Sequence, residues 1–353
     1  MGLRAYIAKR VIYTFILVCA VIIFNYILFV KMGNPTESFL PPRAGVPEDV
    51  YKKYIEGILK RWGLDQPLHV QIFKAFVNMI TFNFGKSFVT GTPVHAEMAI
   101  RLPYTMFLLG SSTTAAIVIG ILWGVLVASK RGSLFDSASV STALIFYSLP
   151  VFWMGMILLF IFFIVLGWFP GGHAYPESWN LGAWPTPFTA ESLISSEQLN
   201  VAFNINGAET LRLLHGYLLH ATLPFITLTL FGYGGYMLLT RATMIDALTE
   251  DYVVTARAKG LPGRTVIFKH ALKNASLPII TNVALSYAGI VSGAIITETV
   301  FSYPGMGRWI WTSILGYDYG VLMATFYVVA LLVIAANFIA DLLYGVIDPR
   351  IKY

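Results

Sequence analysis

The sequence contains few of the residues that a water-soluble enzyme carries on its surface. Charged residues make up 12% of its 353 positions and hydrophobic residues 57%, whereas soluble domains are usually about 25% charged. With so little charge the chain could not cover itself with polar surface in water, so we predict an integral membrane protein. A single cysteine, Cys19, excludes an intrachain disulfide framework and leaves the redox compartment undecided.

Motifs for metal binding, ATP hydrolysis and nucleic-acid recognition are also lacking. The histidines form no HExxH motif and no cluster with cysteine, and His215 and His220 are too far out of helical phase to share a face. The tripeptide GKS at 85–87 matches the end of a phosphate-binding loop, but Ile80 stands where that loop needs its first glycine. No aromatic and basic residues alternate as in a nucleic-acid surface. We therefore predict no catalytic residue, no metal site and no cofactor on this chain.

Long runs without Asp, Glu, Lys or Arg are the main positive feature. Six of them reach the roughly 20 residues that a helix needs to cross about 30 Å of hydrocarbon. These runs are 11–30, 102–129, 137–169, 213–240, 274–297 and 319–340. We predict an all-α protein with six transmembrane helices, and kinks or helix starts at Pro150, Pro224 and Pro278. The first run is longer than a signal-peptide core and lacks a cleavage pattern, so we expect it to be retained.

Lysine and arginine are concentrated on one side of these predicted spans. The segments before the first span, between spans two and three, between spans four and five, and after span six carry Arg4, Lys9, Arg10, Lys130, Arg131, Arg241, Arg257, Lys259, Arg264, Lys269, Lys273, Arg350 and Lys352. The short segments on the opposite side carry only Arg212 and Arg308. The positive-inside rule therefore places both termini in the cytoplasm.

The predicted organisation follows from these spans and from the composition of the loops between them. In chain order we expect an N-terminal transmembrane helix (1–31), an external loop with short helices (32–101), transmembrane helices two and three (102–169), an external irregular loop (170–212), transmembrane helix four (213–240), a charged cytoplasmic loop (241–275), transmembrane helices five and six (276–346) and a cytoplasmic tail (347–353).

Polar and small residues within or beside the spans have simple structural interpretations. Glu298 and Asp341 fall at span ends rather than near the midplane, so an ion-coupled carrier has little support. For Asn25, Asn282 and Asn337 we expect interhelical hydrogen bonds, with a position along a substrate path as the alternative. The glycines of FGYGGYM at 231–237 indicate close helix packing.

The charged loop contains the stretch DYVVTARAKGLPGRTVIFKHALKNASLP at 251–278. Asp251 is a suitable N-cap for a two-turn helix, Gly260 suits the left-handed position after it, and Pro262 prevents its continuation. A second helix is predicted from about Arg264, and Pro278 is expected to begin the next span. A basic loop of this kind can rest on anionic headgroups or can form a rigid knob for a cytoplasmic partner, and its charge alone does not choose.

The same stretch resembles the coupling motif of ATP-binding-cassette (ABC) importer permeases, which reads E-A-A, three residues, Gly, nine residues, I-x-L-P. Here VTA at 254–256 takes the E-A-A place, Gly260 is the glycine, and ASLP at 275–278 ends the motif after 14 residues rather than nine. This longer form is similar to the B-type permease subunits of dipeptide and oligopeptide importers. Further similar stretches, in the same order, are 63–71, 84–106, 130–136, 148–159, 166–172, 298–308 and 318–353. The segment from about 174 to 209 matches nothing and looks like an enlarged external loop.

The resemblance implies a type I ABC importer permease fold in the plasma membrane of a prokaryote. It implies a heterodimer with a second, C-type permease, two cytoplasmic ATPases that bind ATP and Mg, and an external solute-binding protein. The helix at 251–260 would sit in a groove of an ATPase, with Tyr252 and Ala256 filling the groove, Arg257 and Lys259 making polar contacts, and Gly260 allowing the turn. The full set of coupling residues implied in this way is Asp251, Tyr252, Thr255, Ala256, Arg257, Ala258, Lys259 and Gly260. Spans two to five would line the translocation path, without assignment to residues.

Several alternatives remain open from the sequence. The same machinery could import oligosaccharides or nickel, because specificity in this class depends largely on the solute-binding protein. A channel or an ion-coupled carrier would need charges near the midplane, and the spans contain none. A membrane scaffold could use the charged loop to dock a different partner.

Overall fold

The computed structural model describes residues 3–31, 47–62, 65–174, 207–290 and 294–347. Regular structure in these ranges is helical, apart from one isolated antiparallel bridge between Lys86 and Pro93. The predicted all-α class is therefore confirmed for this part of the chain. Most of the predicted external loop 170–212 and nearly all of the predicted tail 347–353 lie outside the described residues.

The helices are numbered here in chain order. They are α1 (Leu3–Lys31), α2 (Glu48–Trp62), α3 (Leu68–Ile80), α4 (Val94–Ser129), α5 (Leu134–Ser148), α6 (Val151–Leu158), α7 (Gly207–Leu248), α8 (Asp251–Ala258), α9 (Leu272–Gly289), α10 (Ile295–Val300), α11 (Met306–Leu315) and α12 (Tyr319–Ile347). A π-helical segment, Leu159–Val165, continues α6. A short turn, Gly263–Thr265, and a second π-helical segment, Val266–Ala271, lead into α9 without a break.

Three of the described helices are long and apolar enough to cross a membrane. These are Lys9–Phe29 within α1, all of α4, and Leu214–Leu248 within α7. Helices α5 and α6 would together form a fourth span, but the chain bends by 100° between them. The bend occurs where Leu149 is extended and Pro150 precedes the first turn of α6, because a residue before proline avoids the helical region. The helix start expected at Pro150 is thus confirmed, whereas the count of six spans stays a prediction.

The chain divides into two compact units, of which the first comprises Met1–Arg101 and Trp309–Tyr353. In this unit α1 packs along α12. The side-chain amide of Asn25 donates a hydrogen bond to the carbonyl oxygen of Met323 over 2.8 Å, and the rings of Phe29 and Phe326 lie 5.6 Å apart. The interhelical hydrogen bond predicted for Asn25 is therefore confirmed.

A buried carboxylate organises the start of α12 in the same unit. Asp318 accepts hydrogen bonds from the hydroxyl of Ser87 and from the backbone amides of Phe88 (3.1 Å) and Val89 (3.3 Å). It also accepts from the amide of Val321, which lies in the first turn of α12. The GKS tripeptide at 85–87 therefore belongs to a structural turn, because its serine hydroxyl is committed to Asp318.

In the second unit, Leu102–Arg308, α7 makes close contacts with α4 and α5. A Cβ atom on Gly120 would lie 2.8 Å from the carbonyl oxygen of Tyr233, and one on Gly124 would lie 2.8 Å from that of Met237. On α7, a Cβ atom on Gly234 would lie 2.7 Å from the carbonyl oxygen of Ala143 in α5. The packing role predicted for the glycines at 231–237 is confirmed, because only glycine lets these backbones approach so closely.

Gly120→Ala is expected to lower the stability of the protein by about 1–3 kcal/mol, since overpacking a tight contact carries a cost of that order. Gly110→Ala, in the same helix, is the matched control because nothing lies within 4 Å of a Cβ atom there. That control is expected to be neutral or slightly stabilising. Thermal unfolding in detergent compares the two variants, and equal transition temperatures would contradict the close-packing account.

Candidate functional site: the charged helix-turn-helix

Helix α7 extends to Leu248, so residues 241–248 of the predicted charged loop, including Arg241, lie within α7 and the rest of the loop follows it. Glu250 has extended backbone angles and takes the N-cap position, so Asp251 is the first residue of α8 and not its N-cap as predicted. No side chain at Glu250 caps the helix. The acidic side chain of Asp251 in the first turn is favourable near the positive end of the helix dipole.

The end of α8 is a Schellman motif. The amide of Gly260 donates to the carbonyl oxygen of Arg257 (2.9 Å), and the amide of Leu261 donates to that of Ala256 (3.3 Å). Gly260 has a φ of 74°, in the left-handed region that glycine occupies without a Cβ penalty. The left-handed position predicted for Gly260 is confirmed, and the motif gives the chain a defined stop after two turns of helix.

One face of α8 is packed against the body of the protein. Val253 is 0% exposed and Ala256 is 5% exposed. Both belong to a buried apolar cluster, here called the cytoplasmic cluster after the side of the membrane predicted for the charged loop. It is formed by Val125, Ala128, Met244, Ala247, Val253, Ala256, Val266, Ala271 and Ala275. Tyr252 packs on the edge of this cluster, and its hydroxyl donates to the carbonyl oxygen of Ala247 over 3.1 Å. The helix is therefore fixed to the ends of α4 and α7 and to the start of the α9 helix.

The other face of α8 is exposed. Asp251, Val254, Thr255 and Ala258 are all exposed, and their spacing of three, four and seven residues places them in one stripe along the helix. Val254 has an apolar side chain, yet it is 61% exposed. We call these four residues the α8 stripe; Arg257 and Lys259 are exposed beside it.

The packing of α8 changes the roles that the family resemblance implies for individual side chains. Ala256 is buried in the cytoplasmic cluster and the half-buried Tyr252 packs against it, so both attach α8 to the protein. A contact of either residue with a partner's groove stays a prediction. Val254, which stands in place of the motif's first residue, lies in the exposed stripe instead. The sequence pattern could have indicated this, because Val253 and Ala256 share one face at a spacing of three residues.

The second helix of the loop begins at Gly263, one residue before the predicted start near Arg264. It continues through the π-helical segment into α9, so Pro278 lies inside α9 and does not begin a helix. Proline removes one hydrogen bond from the helix but does not end it where neighbouring structure holds the chain on both sides.

Five of the six basic residues between 241 and 273 are exposed. They are Arg257, Lys259, Arg264, Lys269 and Lys273, and the sequence has no acidic residue from 252 to 297 to offset them. Arg241 differs, because its guanidinium is paired with the buried carboxylate of Asp136 over 2.6 Å. Sequence reasoning missed this pair, since its two members lie 105 positions apart.

Glu298 is a second residue whose role the sequence did not show. It is 0% exposed, and its carboxylate accepts hydrogen bonds from the hydroxyl of Thr105 (2.8 Å) and from the amide of Arg308 in the first turn of α11 (3.0 Å). Burial raises the pKa of Glu298, while the hydrogen bonds from Thr105 and Arg308 act in the opposite direction. Glu298 therefore joins the start of α11 to α4 within the second unit.

Comparison with known proteins places the chain in a family. Residues 116–353 match the family described as "Binding-protein-dependent transport system inner membrane component". The chain is 33% identical over 353 residues to the oligopeptide transport system permease protein AppB of Bacillus subtilis, covering 99% of this chain and 100% of that protein.

Two further relatives have similar names. The di/tripeptide transport system permease protein DppB of Pseudomonas aeruginosa is 36% identical over 91% of this chain and 90% of its own length. The dipeptide transport system permease protein DppB of Escherichia coli is 36% identical over 84% of each chain. The chain therefore belongs to the family of inner membrane components of binding-protein-dependent transport systems.

Proposed function

We propose that this chain is a transmembrane permease subunit of an ATP-driven importer of dipeptides or oligopeptides. Family membership supports the transport role, and the names of the similar proteins support peptides as the solute. The chain itself carries no ATPase site in this proposal. Hydrolysis of ATP with Mg takes place on two partner subunits at the cytoplasmic face.

The observation that carries the proposal is the α8 stripe. A two-turn helix with one face buried in the cytoplasmic cluster and the other exposed, including a largely exposed valine, is suited to insertion into a partner's groove. Asp251, Val254, Thr255 and Ala258 would contact the groove, and Arg257 and Lys259 would make polar contacts at its rim. Tyr252 and Ala256 would keep α8 attached to the permease.

The mechanism follows from the way α8 is attached. Because α8 shares the cytoplasmic cluster with the ends of α4 and α7 and the beginning of the α9 helix, a displacement of α8 is passed to these helices rather than absorbed in a flexible loop. Closure of the ATPases on ATP would thus shift the transmembrane helices between outward-open and inward-open arrangements. Gly260 allows the sharp turn after α8 that separates this helix from the α9 helix.

The finer architecture is part of the proposal. We propose six transmembrane spans with both termini in the cytoplasm, in a prokaryotic plasma membrane. The positive-inside distribution of lysine and arginine supports this orientation. A second, C-type permease would complete the translocation path, and an external solute-binding protein would deliver the solute.

Reconstitution tests this function. The chain is purified with its partner permease and ATPases, placed in proteoliposomes and supplied with the solute-binding protein. ATP-dependent uptake is then measured for di- and oligopeptides, oligosaccharides and nickel. Peptide uptake that requires both ATP and the binding protein is expected. Uptake of an oligosaccharide or nickel in place of peptides would refute the solute class, and uptake without ATPases would refute the importer assignment.

A further inference from the structure

Asp136 and Arg241 form a two-pronged ion pair between α5 and α7. The Nε atom of Arg241 donates to Oδ1 of Asp136 over 2.6 Å, and Nη2 donates to Oδ2 over 2.8 Å. Asp136 is 4% exposed, while the side chain of Arg241 remains 26% exposed. A bidentate geometry of this kind orients both side chains, because the guanidinium presents its donors in a rigid plane.

The carboxylate of Asp136 also fixes the turn that joins α4 to α5. Its Oδ2 atom accepts a hydrogen bond from the backbone amide of Gly132 over 2.9 Å. The backbone amide of Asp136 donates to the hydroxyl of Ser133, the N-cap of α5. The hydroxyl of Ser133 in turn donates to the carbonyl oxygen of Lys130 over 2.7 Å. Asp136 is therefore bound at once to Arg241, to the turn and to the first turn of its own helix.

Arg241 connects this network to α8. Helix α7 runs without interruption from Arg241 to Leu248, about two helical turns, and α8 starts three residues later. Met244 and Ala247 lie between Arg241 and Leu248 on α7. They belong to the cytoplasmic cluster together with Val253 and Ala256 of α8. The cluster contains no residue of α5, which packs on α7 farther along that helix, at Gly234 and Met237. The contact of Asp136 with Arg241 extends this packing towards the end of α7 that leads into α8.

An ion pair is by itself weak evidence for a role in stability. Asp136 is buried and Arg241 is partly exposed, and apolar side chains of similar volume can often replace a buried pair without loss of folded protein. What an apolar pair does not reproduce is the fixed relative position that bidentate hydrogen bonds impose. The geometry is therefore suited to fixing the position of α5 relative to α7.

We infer that Asp136 and Arg241 are positioning residues that clamp α5 to the cytoplasmic end of α7, so that α5 moves as one body with α8 during the transport cycle. The inference rests on the proposed function, in which α8 receives the movement of the ATPases. Without the clamp, the packing at Gly234 and Met237 would still hold α5 on α7, but the start of α5 would no longer follow the end of α7 that leads into α8. ATP would then be hydrolysed with little transport.

The test uses the double variant Asp136→Leu/Arg241→Met in the complete reconstituted transporter. Cys19→Ser removes the only cysteine, and spin labels are attached to cysteines introduced at Ser137 in α5 and at Glu250, the N-cap residue of α8. Both residues are exposed, and neither belongs to the α8 stripe. Pulsed electron paramagnetic resonance gives the distance between the labels with and without ATP. Solute imported per ATP hydrolysed is measured on the same preparations.

In the otherwise wild-type protein a single narrow distance distribution, unchanged by ATP, is expected. In the double variant the distribution is expected to broaden, and solute imported per ATP to fall about tenfold, with near-normal amounts of protein in the membrane. Arg241→Lys keeps the positive charge but cannot donate two parallel hydrogen bonds to Asp136. The broadening and the loss of coupling are therefore expected to be intermediate. Glu97→Gln removes a partner from the i,i+4 ion pair with Arg101 and is the control that should change neither measurement.

Two results would overturn the inference. One is a narrow distribution in both Arg241→Lys and the double variant, with unchanged solute imported per ATP. The other is a double variant that loses membrane protein while the remaining molecules keep the wild-type distance and coupling ratio, because the pair would then only hold the fold. The distance measurement does not depend on the solute, so a wild-type protein that transports no peptide refutes the proposed function separately.

Discussion

Replacement of Gly260 by valine is expected to abolish most transport while ATP hydrolysis continues. Gly260 has a φ of 74°, and a residue with a Cβ atom is strained there by about 1–2 kcal/mol, more for a β-branched side chain. That strain would reduce the population of the intact turn by roughly tenfold, since about 1.4 kcal/mol corresponds to a factor of ten. Peptide uptake and ATP hydrolysis in proteoliposomes measure the effect, and a fall of about tenfold in solute imported per ATP is expected.

Two controls isolate the backbone from other effects of substitution. Nothing lies within 4 Å of a Cβ atom at Gly260, so the strain comes from the backbone angle and not from a clash. Gly260→Asn should keep most of the coupling, because asparagine tolerates the left-handed region. Gly263→Val tests a nearby glycine that also has open space but no positive φ. If Gly260→Val coupled as well as Gly263→Val, the turn would not matter for transport.

Glu298→Ala is expected to destabilise the folded protein by about 3 kcal/mol or more. The substitution leaves the hydroxyl of Thr105 and the amide of Arg308 without their buried acceptor, and each unsatisfied group costs about 1–3 kcal/mol. The amide of Met306 keeps its bond to the Thr105 hydroxyl (2.8 Å), but that hydroxyl loses its own acceptor. Thermal unfolding in detergent and the amount of protein in the membrane are the measurements.

Glu97 is the control for Glu298, because its carboxylate is less buried. Glu97 pairs with Arg101 at 3.1 Å, and its side chain is 24% exposed. Glu97→Ala is expected to cost less than about 1 kcal/mol, as is usual for such pairs. Glu298→Gln retains a carbonyl acceptor and should fall between the two. Equal transition temperatures for Glu298→Ala and Glu97→Ala would show that Glu298 does not hold the start of α11.

Local signals predicted the features of the charged loop that depend on neighbouring residues. Gly260 followed by Pro262 determines where α8 stops, because these effects act within one turn of chain. For the same reason the break at Pro150 could be predicted, although not its angle. The predicted start of α8 was one residue too late, because Glu250, which is not a favoured N-cap residue, takes the N-cap position in place of Asp251.

Contacts between distant positions could not be predicted in the same way. Asp136 and Arg241 lie 105 positions apart, and Thr105 and Glu298 lie 193 positions apart. No role was predicted for Asp136, and Glu298 was placed only at a span end, because nothing in their flanking residues indicates a partner. The burial of Ala256 likewise depends on α4 and α7, which are remote in sequence.

The α8 stripe is tested most directly by crosslinking to the ATPase partner. Single cysteines are introduced at Ala258, in the stripe, and at Ala256, in the cytoplasmic cluster, in a Cys19→Ser chain paired with an ATPase that carries one cysteine in its surface groove. The account predicts that mild oxidation links Ala258→Cys to the groove, with a yield that changes on addition of ATP, and leaves Ala256→Cys unlinked. The account would be contradicted if Ala258→Cys formed no crosslink to the groove, or if the crosslink yield did not change on addition of ATP.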